Sequence, residues 1–153
     1  AYICNHLDIW DGLVIVDQVS TPNCGVLTSR LRKFLIAESR CRPDLPFLVD
    51  SREHIHLFKD MILKPNQFEA ARAVIGVRRK PSLKASTEHA QTLSSKACGP
   101  VFLTLAEKGM LVAHGARVDH ARGFPVDGLT DPVGAGDEGA PRIQTQRGPN
   151  RRE

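Results

Sequence analysis

Aromatic residues are scarce in this chain of 153 residues: six Phe, one Tyr and one Trp make up 5% of it. They do not alternate with the basic residues, so there is no stacking platform for nucleobases, and nucleic acid is not expected as a partner. Cysteine is scarce as well. Cys4, Cys24, Cys41 and Cys98 form no CxxC pair, and their spacing fits no zinc module. Scattered thiols fit a reducing cytosol better than a disulfide framework, so a cytoplasmic location is expected. His54 and His56 form an HxH pair, but no cysteine or carboxylate pattern completes a metal site around them. They read as the two faces of a short surface segment. Long apolar runs are missing too. The longest aliphatic stretch, Leu13 to Val16, is far short of the ~20 residues of a membrane span, and no secretory signal is visible. No internal repeat and no long linker interrupt the chain.

The chain has the length of one ordinary domain and enough apolar residues for a real core. Apolar residues make up 41%, and the 12 glycines bring the share to about that of a typical globular protein. Lys and Arg number 21 against 17 acids, a net charge of +4. The excess is uneven, because residues 138–153 hold four Arg and two Glu. From Pro141 onward periodicity is lost, and residues 138–153 are expected to be a disordered basic tail.

Before that tail the pattern alternates. Leu13-Val-Ile-Val-Asp17 is a short apolar run ending in a carboxylate and reads as a buried parallel strand. Leu27, Leu31, Phe34 and Leu35 follow helical spacing, with Pro43 and Pro46 closing the helix. Phe47-Leu-Val-Asp50 and Met61-Ile-Leu63 are two further strands. Phe68, Ala71 and Ile75 repeat at helical spacing, and Gly76 is the stop. Residues 77–84 are basic, contain Pro81 and read as a loop. Residues 85–97 read as a helix. Residues 101–105 and 110–113 read as two strands joined by a turn at Glu107-Lys-Gly109. This alternation predicts an α/β fold with a mainly parallel sheet, whose ligands sit at the strand ends.

Three segments carry chemistry. Asp131-Pro-Val-Gly-Ala-Gly-Asp137 is a small-residue loop that can present successive N–H groups to an anion, with an aspartate placed to accept a proton. Lys64-Pro-Asn-Gln-Phe-Glu69 sets Asn66 and Glu69 three apart at a helix start. That spacing is a capping pattern needing no ligand, and taken alone the cap is the preferred reading. The alternative is that Asn66 and Glu69 organise phosphate oxygens or metal-bound water. In Val101-Phe-Leu-Thr-Leu-Ala-Glu-Lys-Gly-Met110, Thr104 lies near the end of a buried strand. It either satisfies its own neighbourhood or faces a nucleotide.

Taken together, and in this order, the three segments resemble the C-terminal part of the PfkB (ribokinase-like) carbohydrate kinase family. That family carries an N-x-x-E element, a T-x-G-x-x-G strand-turn and a closing D-x-x-G-A-G-D signature. Asp17-Gln18 and Asp50-Ser51-Arg52 also resemble strand-end positions of its heptose-phosphate kinase members. The resemblance covers residues 1–137 and implies a ribokinase-like three-layer sandwich and an ATP- and Mg²⁺-dependent sugar kinase. Its substrate would be a sugar or sugar phosphate, and the full-length family member would be a homodimer. Asp137 would be the catalytic base, and the backbone N–H groups of Gly134, Ala135 and Gly136 would form the anion hole. Asn66 and Glu69 would hold Mg²⁺ and its waters, while Lys64, Thr104 and Gly109 would line the nucleotide site. Ala106 stands where the family has glycine, which predicts a cramped loop if that position needs a positive φ.

The resemblance also implies a missing N-terminal portion, and the chain opens on Ala1 rather than Met. After Asp137 the family continues with a small-residue helix, whereas this chain reads Glu-Gly-Ala-Pro141. A truncation or a shifted reading frame is the expectation. Two other readings follow from these departures: a nucleotide-binding remnant without catalysis, and a basic interaction module acting through the Arg-rich tail.

Overall fold

The protein, described as a computed structural model over residues 2–124, builds one six-stranded sheet whose strands lie in sequence order. The strands are Leu13–Asp17 (β1), Phe47–Ser51 (β2), Ile62–Leu63 (β3), Val101–Thr104 (β4), Met110–His114 (β5) and Arg117–Ala121 (β6). The first four run parallel, β5 returns antiparallel to β4, and β6 pairs antiparallel with β5. Three helices accompany them: Ser29–Cys41 (α1), Gln67–Ile75 (α2) and Leu83–Ala97 (α3). The mainly parallel α/β sheet expected from the sequence is present. β6 was not expected. The last helix begins at Leu83, earlier than its periodicity suggests, because Ser82 caps it by accepting the N–H of Ala85.

Local chemistry sets the helix boundaries. Thr28 accepts the Leu31 N–H at the start of α1, and Gly76 ends α2 in the left-handed region at φ +73°. Gly115 opens the two-residue turn between β5 and β6 at φ +60°, a conformation glycine adopts without steric cost. At the end of α3, Ser94 ties two elements together. Its hydroxyl donates to the Gly99 carbonyl at 2.8 Å and accepts the Gly115 N–H at 2.9 Å.

Parallel strands added in one direction by right-handed crossovers place every connection on the same side of the sheet. The core agrees with that rule. Ile15, Phe47, Val49, Leu63, Val101, Leu103, Leu111 and Ala113 join Leu35, Ile55, Phe58, Ala70 and Leu93 in one buried cluster. Alternation along each strand sends the neighbouring residues to the other face. There Val14 and Val16 are 66% and 59% exposed, and Leu48, Ile62, Phe102 and Val112 are half-buried outside the core cluster. The described residues thus make a sheet with a helical layer on one face and an open second face.

Candidate functional site

The open face carries a polar cluster at the C-terminal ends of β2, β3 and β4. Pairing of Val49 with Leu63 sets Asp50 beside Lys64, and the Lys64 ammonium donates to Asp50 Oδ2 at 2.9 Å. Two residues further on, Asn66 bridges to Thr104, which ends β4 on the same face. The Thr104 N–H donates to the Pro65 carbonyl at 3.0 Å, so the β3–α2 connection is stitched to β4. Lys64, Asn66, Glu69 and Thr104, far apart in sequence, converge at one edge of the sheet, the region where open α/β sheets hold ligands.

The start of α2 realises the cap. Asn66 Oδ1 accepts the N–H groups of Phe68 and Glu69, both at 2.9 Å, and Glu69 Oε2 accepts the Asn66 N–H at 2.8 Å. This is a full capping box. It fixes the orientation of the Asn66 amide, whose NH₂ end is the donor that remains for a ligand oxygen or a bound water. The Glu69 carboxyl is pushed above the ordinary carboxylate range, chiefly by burial. The hydrogen bond from Asn66 draws it down, nearby Asp50 pushes it up, and Lys64 and Arg78 pull it back. Asp50, Lys64 and Arg78 therefore all lie within electrostatic range of Glu69.

An ammonium and an amide NH₂ can address phosphate oxygens, and one carboxylate can address a hard cation through its waters; among the described residues no group of three or more His, Cys, Asp or Glu could hold a metal ion outright. Of the residues implicated by sequence, Lys64, Asn66, Glu69 and Thr104 come together. Gly109 lies just past them, between β4 and β5. It sits at φ +91°, and a Cβ there would fall 2.1 Å from the Ala121 carbonyl oxygen, so the close approach of β6 requires glycine. The turn before it holds Ala106 at φ +53°, so the position where the family has glycine does take a positive φ here. Asp137, Gly134, Ala135 and Gly136 lie outside the described residues, as does the basic tail.

Sequence reasoning missed the Asp50–Lys64 pair and a second cluster on the covered face. At the ends of β1 and β2, the buried Ser51 hydroxyl donates to buried Asp17 Oδ2 at 2.9 Å, and His54 Nδ1 lies 3.5 Å from the same oxygen. His54 and His56 do not sit alike: His54 is half-buried against Asp17, whereas His56 is exposed, with its pKa lowered mainly by what burial it has. A separate shallow cavity of 460 Å³ lies at the opposite end of the strands, lined by Leu7, Asp8, Trp10, Asp11, Arg42 and Asp44 among others. Cys4, Cys24, Cys41 and Cys98 are exposed and form no disulfide, and among the described residues no helix is long and apolar enough to cross a membrane.

No protein-family model matches the chain, and no curated protein does. Solved structures do. Phosphofructokinase-2 from Escherichia coli in complex with fructose-6-phosphate superposes with a TM-score of 0.60 at 19% identity, covering 82% of this chain and 42% of that one. The same enzyme in complex with substrates and products gives 0.59 at 21% identity, with coverages of 86% and 43%. Ribokinase from Thermotoga maritima gives 0.54 at 17% identity, with coverages of 82% and 39%. The chain thus has the α/β fold of the ribokinase-like sugar kinases and spans 39–43% of the length of these three structures.

Proposed function

We propose that this chain carries the nucleotide side of an ATP-dependent carbohydrate kinase, which transfers the γ-phosphate to a hydroxyl of a sugar or sugar phosphate. The observation that carries this reading is the convergence of Lys64, Asn66, Glu69 and Thr104 at the strand ends of a sheet with a sugar-kinase fold. In this reading Lys64 and the Asn66 amide bind phosphate oxygens, Glu69 holds Mg²⁺ through its waters, and Thr104 and Gly109 line the nucleotide site. Bound Mg²⁺ supplies neutralisation of the charge on the polyphosphate. Asp137 is proposed as the base that takes the proton of the acceptor hydroxyl, and the backbone N–H groups of Gly134, Ala135 and Gly136 as the anion hole. These last assignments rest on the sequence signature alone. Such a division of labour suits phosphoryl transfer, where positioning and charge stabilisation supply most of the rate.

A heptose-type acceptor is the finer reading, supported by the resemblance at Asp17-Gln18 and Asp50-Ser51-Arg52. Exposed cysteines that form no disulfide support a cytoplasmic setting.

A thermal melt with and without Mg-ATP tests the first step. Ligand at about 100 times its dissociation constant adds roughly 2.7 kcal/mol, a rise of about 5–10 °C for a chain of this size. Lys64→Ala should remove most of that rise. A melt that saturating Mg-ATP leaves in place sinks the reading. ADP release that depends on an added sugar separates transfer from binding alone.

A further inference from the structure

We propose that Asp50 is a positioning residue for Lys64, holding its ammonium on the open face where the phosphates of a nucleotide would meet it. The inference rests on the function proposed above and extends it to a residue one strand away. Strand register makes the two residues neighbours, and the contact of 2.9 Å is a charge-assisted hydrogen bond. A lysine ammonium has three donors on a flexible stem, so one bond to Asp50 restricts its position while leaving two donors for a ligand. The pair is 38% and 29% exposed, which keeps the contact open to an incoming anion.

The need for a holder follows from Glu69. Lys64 lies within electrostatic range of that carboxylate, whose Oε2 is already engaged by the Asn66 N–H. Without Asp50, the ammonium is drawn toward Glu69 and competes with the capping bond and with any cation there. Asp50 thus keeps the positive and negative groups of the site apart.

The test is calorimetric titration of Mg-ATP, and separately of adenosine, into the chain and its Asp50→Asn and Asp50→Glu variants. Asp50→Asn should weaken Mg-ATP about five-fold, the scale of a partly exposed charge contact. It should leave adenosine affinity and the ligand-free melting temperature unchanged. Asp50→Glu, which keeps the carboxylate, should recover most of the loss. Mg-ATP affinity that is equal or tighter in Asp50→Asn overturns the inference and leaves the nucleotide reading standing. An equal loss for adenosine, or a lowered ligand-free melt, overturns it by making Asp50 merely structural. Failure of the unsubstituted chain to bind Mg-ATP overturns the nucleotide reading and this inference with it.

Discussion

Two polar clusters stand at the same edge of the sheet, on opposite faces. On the covered face, Asp17, Ser51 and His54 satisfy one another beneath the helices; Ser51 is 0% and Asp17 6% exposed. On the open face, Asp50, Lys64, Asn66 and Thr104, with Glu69 beside them in the first turn of α2, are all half-buried and keep hydrogen-bonding capacity in reserve. Asp50 and Ser51 are adjacent in sequence, yet strand alternation sends them to different faces and different work. Polarity at a strand end therefore does not mark a site by itself. The face on which it emerges decides whether the group closes a core or stays open to solvent.

The contrast breaks first at Asp17. Asp17→Ala leaves the O–H of the fully buried Ser51 without an acceptor, its oxygen still accepting the His54 N–H, which should cost about 2–3 kcal/mol. The melting temperature should fall by roughly 5–10 °C. Lys64→Met, on the open face, should stay within about 1 kcal/mol of the unsubstituted chain, because its ion pair is partly exposed. Equal destabilisation by the two substitutions would erase the distinction between the faces.

Asn66 sharpens the comparison because it belongs to both structure and site. Asn66→Ala strips the acceptor from two N–H groups of α2 and should cost about 1–2 kcal/mol in chemical denaturation. Asn66→Asp keeps a capping oxygen and should restore that stability. It also replaces a donor by a negative charge beside the expected phosphates, so the melt shift with Mg-ATP should not return. Recovery of both together would reduce Asn66 to a cap.

Local patterns made much of the fold readable in advance. The apolar runs of β1, β2, β4 and β5 and the Asn66 and Gly76 limits of α2 each rest on a few neighbouring residues, and each is where the sequence placed it. β6 escaped because of its five residues only Val118 is not exposed, leaving no apolar period to see. Hydrogen bonds to β5 across the Gly115 turn hold it instead. The convergence of Lys64, Asn66, Glu69 and Thr104 was reachable only through family resemblance, because composition does not reveal which strands are neighbours. The Asp50–Lys64 contact was invisible for the same reason: it depends on the register of two strands joined by an irregular connection.

The smallest expected effect lies in the turn that follows β4, beside the open cluster. Ala106 occupies φ +53°, where a Cβ crowds the backbone, while the neighbouring Gly109 at φ +91° meets its own demand with glycine. The chain tolerates alanine at Ala106 because the residue is exposed and no packing compounds the strain. Ala106→Gly relieves that strain but also frees the unfolded chain, so the two effects partly offset. The net should be a gain of about 0.5–1 kcal/mol, read as a higher denaturation midpoint with an unchanged slope. A loss of stability would mean that the turn is unstrained, and that the alanine there carries no structural cost beside the open-face cluster.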